Sequence, residues 1–223
     1  MNPIQTTSRP LVMLMVCFLA IGLWQIGEGS WIHAKARLAQ VLLRRAWSKT
    51  LAGHMQVKPW PWADTWPVGR LRVPSEEVDV IVLNGAYGRT LAFGPAFAES
   101  SSLPGAGGTT VLTGHRDTHF AFMGRLKEMD EILIDTPDGH SLRYRVLDSA
   151  IVDARTDAIR LADDKEVREE LILVTCYPFD ALFSGGPLRY LVRAIPVPSA
   201  RSRSIDRPAG REWEAQGGST PPM

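Results

Sequence analysis

The stretch at residues 171–179 (LILVTCYPF) constrains the fold more than any other part of the sequence. Five aliphatic or β-branched residues in a row indicate a buried strand, and Pro178 cannot continue it. Cys176 therefore lies at the carboxyl end of a strand, where a side chain can reach a groove. The only other cysteine is Cys17, within an N-terminal apolar segment, so Cys176 has no disulfide partner in the rest of the chain. A buried structural thiol and a reactive thiol both fit this stretch on its own.

Short strand-like segments recur between turn signals from residue 67 to residue 197. The chain contains 16 prolines and 19 glycines, which favour many turns. About eight short strands with one or two helical turns predict a mainly β fold that closes into a barrel. The strand candidates are residues 69–73, 78–83, 91–98, 109–113, 131–135, 140–151, 171–176 and 187–196.

Residues 11–27 form an uncharged, largely apolar run that follows Arg9. Its length is at the low end of what crosses a bilayer as a helix, and Trp24 lies near its far end, where indole rings favour the headgroup region. A cleavable signal peptide is the main alternative, because residues 34–36 (AKA) have the small-x-small form of a cleavage site. That site lies well beyond the apolar run. The sequence therefore predicts an uncleaved transmembrane anchor over residues 11–27, with residues 1–10 on its cytoplasmic side.

Three further segments flank the predicted barrel. Residues 34–50 combine apolar residues at helical spacing with basic residues elsewhere, which predicts an amphipathic helix with a solvated stalk as its simplest role. The segment at 58–67 is rich in proline and tryptophan, so it is not regular helix and either packs on the barrel or covers its groove. Residues 28–66 are thus a basic helix and a Trp/Pro linker. Residues 198–223 contain few residues that could be buried, which predicts a disordered tail.

The charge balance restricts the partners of this chain. The net charge is +1 and 22% of the residues are charged, so the sequence gives no reason to expect a nucleic-acid partner. Five basic residues follow the apolar run within residues 28–50, whereas Arg9 alone precedes it. Taken alone, the positive-inside rule would leave the predicted barrel in the cytoplasm.

Two chemically active side chains follow strand ends and could share one rim of a barrel. His115 comes after the strand TTVLT and its glycine, and Cys176 comes after LILVT. A thiol with a pKa of about 8.5 needs help to attack a carbonyl near neutral pH, and a neighbouring imidazole can hold the proton and return it to a leaving amine. Arg189, on the last predicted strand, could place a permanent cation beside the developing oxyanion. Each of these residues alone is a weak signal.

The three segments that carry these residues resemble the signature segments of sortases. They are GHRDTHF at 114–120, LVTCYPF at 173–179 and PLRY at 187–190. Sortases are membrane-anchored cysteine transpeptidases with an eight-stranded β-barrel, and the resemblance covers roughly residues 67–197. It is closest to the lone sortase type of Gram-negative bacteria. One departure is Ile172, where the family pattern TLxTC has threonine, and a buried strand tolerates that exchange.

The resemblance implies a role for each residue. Cys176 attacks the threonine carbonyl of a C-terminal sorting signal similar to LPxTG and forms a thioacyl-enzyme. His115 protonates the departing amine and deprotonates the incoming one, and Arg189 holds the substrate backbone and stabilises the oxyanion. The implied partners are a substrate protein with such a signal, an amine acceptor and, through the anchor, the lipid bilayer; the step needs no cofactor. The family also implies a barrel on the periplasmic side of the inner membrane, against the charge count.

Two other classes of function stay open. His115 and His119 have the i, i+4 spacing of the zinc-hydrolase motif HExxH, but Arg116 stands where that motif has its glutamate base, and no third ligand is apparent. A membrane-tethered barrel that binds a peptide without catalysis is the second alternative, and a structural buried cysteine would then be inert toward thiol reagents. Within the enzyme class, the chain could also act mainly as a protease that releases its substrate to water.

Overall fold

The structure is a computed structural model that describes residues 8–157, 169–181, 183 and 185–198. Within the first helix, side chains are described for residues 10–25, residue 27 and residue 34 onward. Residues 158–168, which belong to a charged segment before the Cys176 strand, and the residues after 198, where the sequence predicts a tail, lie outside the described residues.

Eight strands close into a barrel in the order β1-β2-β3-β4-β7-β8-β6-β5, which confirms the predicted mainly β fold. The β2–β3 and β4–β7 pairs are parallel and the other pairs are antiparallel. The strands are β1 (Pro67–Val73), β2 (Val78–Asn84), β3 (Ala96–Phe97), β4 (Thr109–Thr113), β5 (Glu131–Asp135), β6 (Ser141–Asp153), β7 (Glu170–Cys176) and β8 (Leu188–Pro196). The helices are α1 (Ser8–Leu51), α2 (Gly88–Leu91) and two short 3₁₀ helices, Pro74–Glu76 and Ala121–Arg125.

Strand β7 is buried on both faces, which is why its sequence is apolar without alternation. Leu171 and Leu173 point into the barrel and belong to its main core. Ile172 and Val174 point outward and form a second apolar cluster with residues of β4 and β8. Because side chains alternate along a strand, Cys176 continues the outward-facing row and lies on the outer surface of the barrel.

Helix α1 runs without interruption from Ser8 to Leu51, although the sequence predicts separate segments for its two halves. Leu43 and Trp47 are buried against Ile81 and Leu83 of β2. The side-chain amide of Gln40 also donates a hydrogen bond of 2.9 Å to the carbonyl of Phe93. The expectation of a solvated stalk is therefore wrong for this half of the helix, which docks on the barrel through its apolar stripe.

The Trp/Pro linker packs on the barrel. The Trp60 ring meets Phe93 edge to face with their centroids 4.8 Å apart, and Ala63 and Thr65 are buried. The Thr65 hydroxyl donates a hydrogen bond of 2.7 Å to the carbonyl of Asn84 at the end of β2. These contacts favour packing, the first of the two roles that the sequence left open for this segment.

The first half of α1 carries the anchor predicted at residues 11–27. The apolar side chains from Leu11 to Trp24 are exposed, as the values for Leu11 (59%) and Trp24 (71%) illustrate. Among the residues that the structure describes, none of the helices combines the length and the apolar character needed to cross a bilayer. The predicted transmembrane helix is therefore not confirmed.

Candidate active site

The register of β4 and β7 brings His115 and Cys176 to the same rim of the barrel. These parallel strands are neighbours, with Thr113 opposite Val174, and the amide of Gly114 donates a 3.2 Å hydrogen bond to the carbonyl of Val174. His115 and Cys176 each lie two residues beyond that pair. Neighbouring strands are about 4.8 Å apart, so the two residues occupy adjacent strand ends at one level.

Cys176 and Arg189 lie directly opposite each other on the antiparallel strands β7 and β8. Directly opposed residues point to the same face with their Cβ atoms about 4.5–5.5 Å apart. Both side chains are half-buried, and the thiol is free. A thiol and a permanent cation therefore share the outer face of the barrel beside the strand end that carries His115.

A buried hydrogen bond ties the two strand ends together. The hydroxyl of Thr175 donates to the carbonyl of Gly114 at 2.8 Å, so the residue before Cys176 holds the residue before His115. A Cβ atom on Gly114 would lie only 2.7–3.0 Å from the ring of Phe120, which explains why glycine is needed there. The amide of Phe120 donates a 3.0 Å hydrogen bond back to the carbonyl of His115 and closes the turn.

The turn at residues 115–119 (HRDTH) carries two imidazoles, and that of His119 lies beside that of His115. His115 is exposed and His119 is half-buried. Burial lowers the pKa of His119, and a positive charge on His115 lowers that pKa further, while a hydrogen bond to the backbone of Ala92 opposes both effects. With its pKa lowered in this way, His119 is neutral near neutral pH and packs in the turn beside Phe120.

The guanidinium of Arg189 keeps part of its donor capacity. Its Nη1 atom donates to the carbonyls of Gly186 (2.7 Å) and Leu188 (2.9 Å). Among the described residues, its other two nitrogens have no hydrogen-bond acceptor. The nearby carboxylate of Asp153 is held by Arg155 at 2.7 Å, and this hydrogen bond is the main cause that lowers the pKa of Asp153 to about 2. Arg189 is thus free to bind a further anion or carbonyl.

Among the described residues, the zinc alternative has no third ligand near this rim. His115 and His119 do lie close together, since a charge on His115 contributes to the lowered pKa of His119. Among the residues that the structure describes, however, no group of three or more histidine, cysteine, aspartate or glutamate side chains is arranged to hold a metal ion.

A cavity of about 710 Å³ lies away from these residues. It is lined by the β5–β6 turn, the start of β1 and the segment after α1. The β6 start pairs with the β8 end, which in turn pairs with the β7 start, so this cavity is at the opposite end of the barrel from Cys176. The reactive groups, and not the size of a cavity, therefore define the candidate site.

Three residues help to shape this rim, although the sequence analysis assigns them no part in the site. Thr175 and Gly114 form the cross-strand hydrogen bond, and Arg116 contacts the loop after Cys176. A threonine inside a buried apolar run is the one signal that could have pointed to Thr175, because a buried hydroxyl needs a partner. The partners of Arg116 and Thr175 are too distant in sequence to be recognised from a local pattern.

The fold and this rim define a β-barrel protein with cysteine, histidine and arginine at neighbouring strand ends. The family profile described as the sortase domain matches residues 71–197, which is more than half of the 223-residue chain. The chain therefore belongs to the sortase family, whose members are cysteine transpeptidases.

Individual relatives agree with this membership. Sortase D of Bacillus subtilis (strain 168) is 34% identical over 125 residues, which cover 56% of this chain and 61% of that relative, so the chain spans less than two thirds of it. The solved structure of sortase C-1 from Actinomyces oris is 31% identical with a TM-score of 0.51, over 60% of this chain and 74% of that one. Sortase A from Corynebacterium diphtheriae is 28% identical with a TM-score of 0.54, over 67% and 68%. The narrower resemblance to the Gram-negative type stays a prediction.

Proposed function

We propose that this chain is a transpeptidase that cleaves a C-terminal sorting signal similar to LPxTG and transfers the new carboxyl end to an amine. The observation that carries the proposal is the register of three strands. Cys176 lies directly opposite Arg189, and His115 follows the neighbouring strand at the same level. A nucleophile, a proton carrier and an oxyanion partner are thus available at one rim.

In the proposed first step, the Cys176 thiolate attacks the carbonyl carbon of the threonine residue of the signal. The oxygen of the tetrahedral intermediate carries the negative charge, and the two nitrogens of Arg189 that lack described acceptors can donate to it. The C–N bond then breaks, and His115 gives its proton to the departing amine. The products of this step are a thioester on Cys176 and the released C-terminal segment.

In the proposed second step, an incoming primary amine attacks the thioester carbonyl, and His115 accepts the proton that the amine loses. The C–S bond breaks and returns the thiolate, while a new amide bond joins the substrate protein to the acceptor. If water attacked the thioester carbonyl in place of the amine, the C–S bond would break in the same way and the product would be the free acid. The fixed strand ends at Gly114 and Thr175 keep imidazole and thiol at one spacing through both steps.

We also propose that α1 holds the enzyme at the inner membrane, with the barrel on the periplasmic side and the lipid bilayer as a further partner. Support comes from the exposed apolar side chains between Leu11 and Trp24 and from the membrane anchors of sortases. The basic residues that follow the apolar run argue for the opposite orientation. A reporter fused after Met223 should be active outside the cytoplasm, and cytoplasmic activity would reverse this proposal.

The test is product analysis on the full chain with a fluorescent donor peptide that contains an LPxTG-like signal. With an added glycine peptide we expect the amide-joined product, and without it a slower release of the free acid. Cys176→Ala should abolish both products, whereas Cys17→Ala, which changes the only other cysteine, should keep them. Binding of the donor without any product would favour the non-catalytic peptide-binding barrel, and turnover by Cys176→Ala would end the transpeptidase proposal.

A further inference from the structure

Arg116, the residue after His115, reaches across the rim to the loop that joins β7 to β8. Its Nη2 atom donates hydrogen bonds to the carbonyl of Ala181 at 2.8 Å and to the carbonyl of Phe183 at 3.0 Å. The loop begins after Cys176 and ends before Arg189. A side chain from the histidine turn thus holds the segment that links the other two site residues.

The ends of this loop have their own attachments. The amide of Tyr177 donates a 3.0 Å hydrogen bond to the carbonyl of Leu188, and the rings of Tyr177, Phe179 and Tyr190 pack together. The middle of the loop is held in a different way, by a side chain from the histidine turn. For the described residues from 180 to 185, the hydrogen bonds from outside the loop come from Arg116.

The bonds from Arg116 have the properties of a structural clamp. They are charge-assisted, because the donor is a guanidinium, and the bond to Ala181 is also partly buried, which reduces competition from water there. Both acceptors are backbone carbonyls, so the contact fixes the path of the loop and does not depend on a particular side chain. The path so fixed leaves the Phe183 ring 85% exposed, a large apolar group on the loop between Cys176 and Arg189.

We propose that Arg116 is a positioning residue that fixes the β7–β8 loop relative to His115 and thereby presents Phe183 to an apolar side chain of the donor peptide. This inference rests on the proposed function for its substrate, but the clamp itself is a property of the folded chain. The clamp gives a role to Arg116, which has no part in the proposed chemical steps. The same arginine occupies the position of the glutamate base in the zinc motif. Arg116 acts on donor binding, and the thiol and imidazole act on chemistry.

The experiment compares four full-length variants with the wild type. Arg116→Met removes the clamp, Arg116→Lys keeps a shorter cationic donor, and Phe183→Ala removes only the exposed ring. Arg143→Met is the matched control, because Arg143 forms an ion pair of 3.0 Å with Glu131 on β5 and β6, away from the rim. Each variant is assayed by hydrogen exchange of the loop peptide, by the rate of Cys176 alkylation, and by KM and kcat for the fluorescent donor.

We expect Arg116→Met to raise both the exchange rate of the loop and the donor KM by about tenfold, with the alkylation rate within about twofold, as fits the loss of charge-assisted hydrogen bonds. Arg116→Lys should fall between Arg116→Met and the wild type. Phe183→Ala should raise the donor KM alone, and Arg143→Met should change neither quantity.

Two results would overturn the proposal. Unchanged loop exchange in Arg116→Met would show that the arginine does not hold the loop, and this readout needs no substrate. Wild-type donor KM in both Arg116→Met and Phe183→Ala would show that the loop and its ring do not bind the donor. If the wild type itself formed no product, the proposed function would fail while the exchange measurement still tested the clamp.

Discussion

The hydroxyl of Thr175 donates a buried hydrogen bond of 2.8 Å to the carbonyl oxygen of Gly114. Each partner immediately precedes a site residue, Cys176 in one case and His115 in the other. The two strand ends therefore cannot separate without breaking a hydrogen bond in a region that water does not reach. This contact links the fold of the barrel to the spacing of the thiol and the imidazole.

Thr175→Val should test that link directly. The substitution keeps the side-chain shape but leaves the Gly114 carbonyl without its donor, which should lower the free energy of unfolding by about 1–3 kcal/mol. Turnover of the donor peptide should also fall. Thr110→Val is the control, since the Thr110 hydroxyl is buried without a partner among the described residues and its removal should be neutral or stabilising. Equal effects of the two substitutions on urea unfolding would contradict this prediction.

Gly114→Ala should distort the turn that carries His115. The added Cβ would meet the Phe120 ring at 2.7–3.0 Å, and overpacking of this kind costs about 1–3 kcal/mol. Combining it with Phe120→Leu should recover part of the loss, which a double-mutant cycle on thermal unfolding measures. Gly88→Ala serves as control because nothing lies within 4 Å of its Cβ position. Additive effects of Gly114→Ala and Phe120→Leu would rule out the clash as the cause.

Arg189→Lys should impair catalysis although the positive charge is kept. An ammonium lacks the planar fork that here donates to two carbonyls through one nitrogen and leaves two nitrogens for substrate. Loss of an oxyanion donor lowers kcat by about 100-fold or more. Arg193, on the same strand, forms an ion pair with Asp148 instead. The control variant Arg193→Lys should therefore keep its kcat within about twofold of the wild type. Full kcat in Arg189→Lys would remove the oxyanion role from this residue.

His119 should make the stability of the fold depend on pH. Its pKa in the folded state lies below the ordinary value of about 6.5, chiefly because it is buried, so the unfolded chain binds a proton more readily. The free energy of unfolding should therefore be unaffected by this residue well above pH 6.5 and should fall as the pH drops below it. Urea unfolding at pH 7.5 and 5.5 should show a smaller decrease for His119→Asn than for the wild type. The exposed His54→Asn variant should keep the wild-type decrease, and an unchanged decrease in His119→Asn would disprove the prediction.

Much of the barrel can be predicted from the sequence because turn residues bound its strands. Strands β4 and β5 begin and end at the predicted residues 109–113 and 131–135. The strand predicted at 91–98 is reduced to Ala96–Phe97, because Leu91 ends the helical turn α2 and residues 92–94 form the turn that follows it. The docking of α1 was not predictable, since nothing in the pattern of the helix indicates that Ile81 and Leu83 leave an apolar surface on the outside of β2.

In the candidate site, too, features set by neighbouring residues can be predicted from the sequence, and contacts between distant residues cannot. A strand end is a local property, so the positions of His115 and Cys176 at strand ends can be read from the residues before them. The hydrogen bonds that hold these ends connect Thr175 with Gly114, 61 residues apart, and Arg116 with Ala181, 65 residues apart. Such contacts depend on which strands are neighbours in the closed barrel, and no local pattern encodes that order.

The central claim is that Cys176 forms a thioester with the donor, and intact-mass measurement of the full chain tests it most directly. After incubation with an LPxTG-like peptide and no amine, the protein should gain the mass of the acyl fragment on Cys176, and added glycine peptide should remove that mass. A donor that is converted to product while Cys176 stays unmodified, or while the acyl group is found on another residue, would contradict the claim.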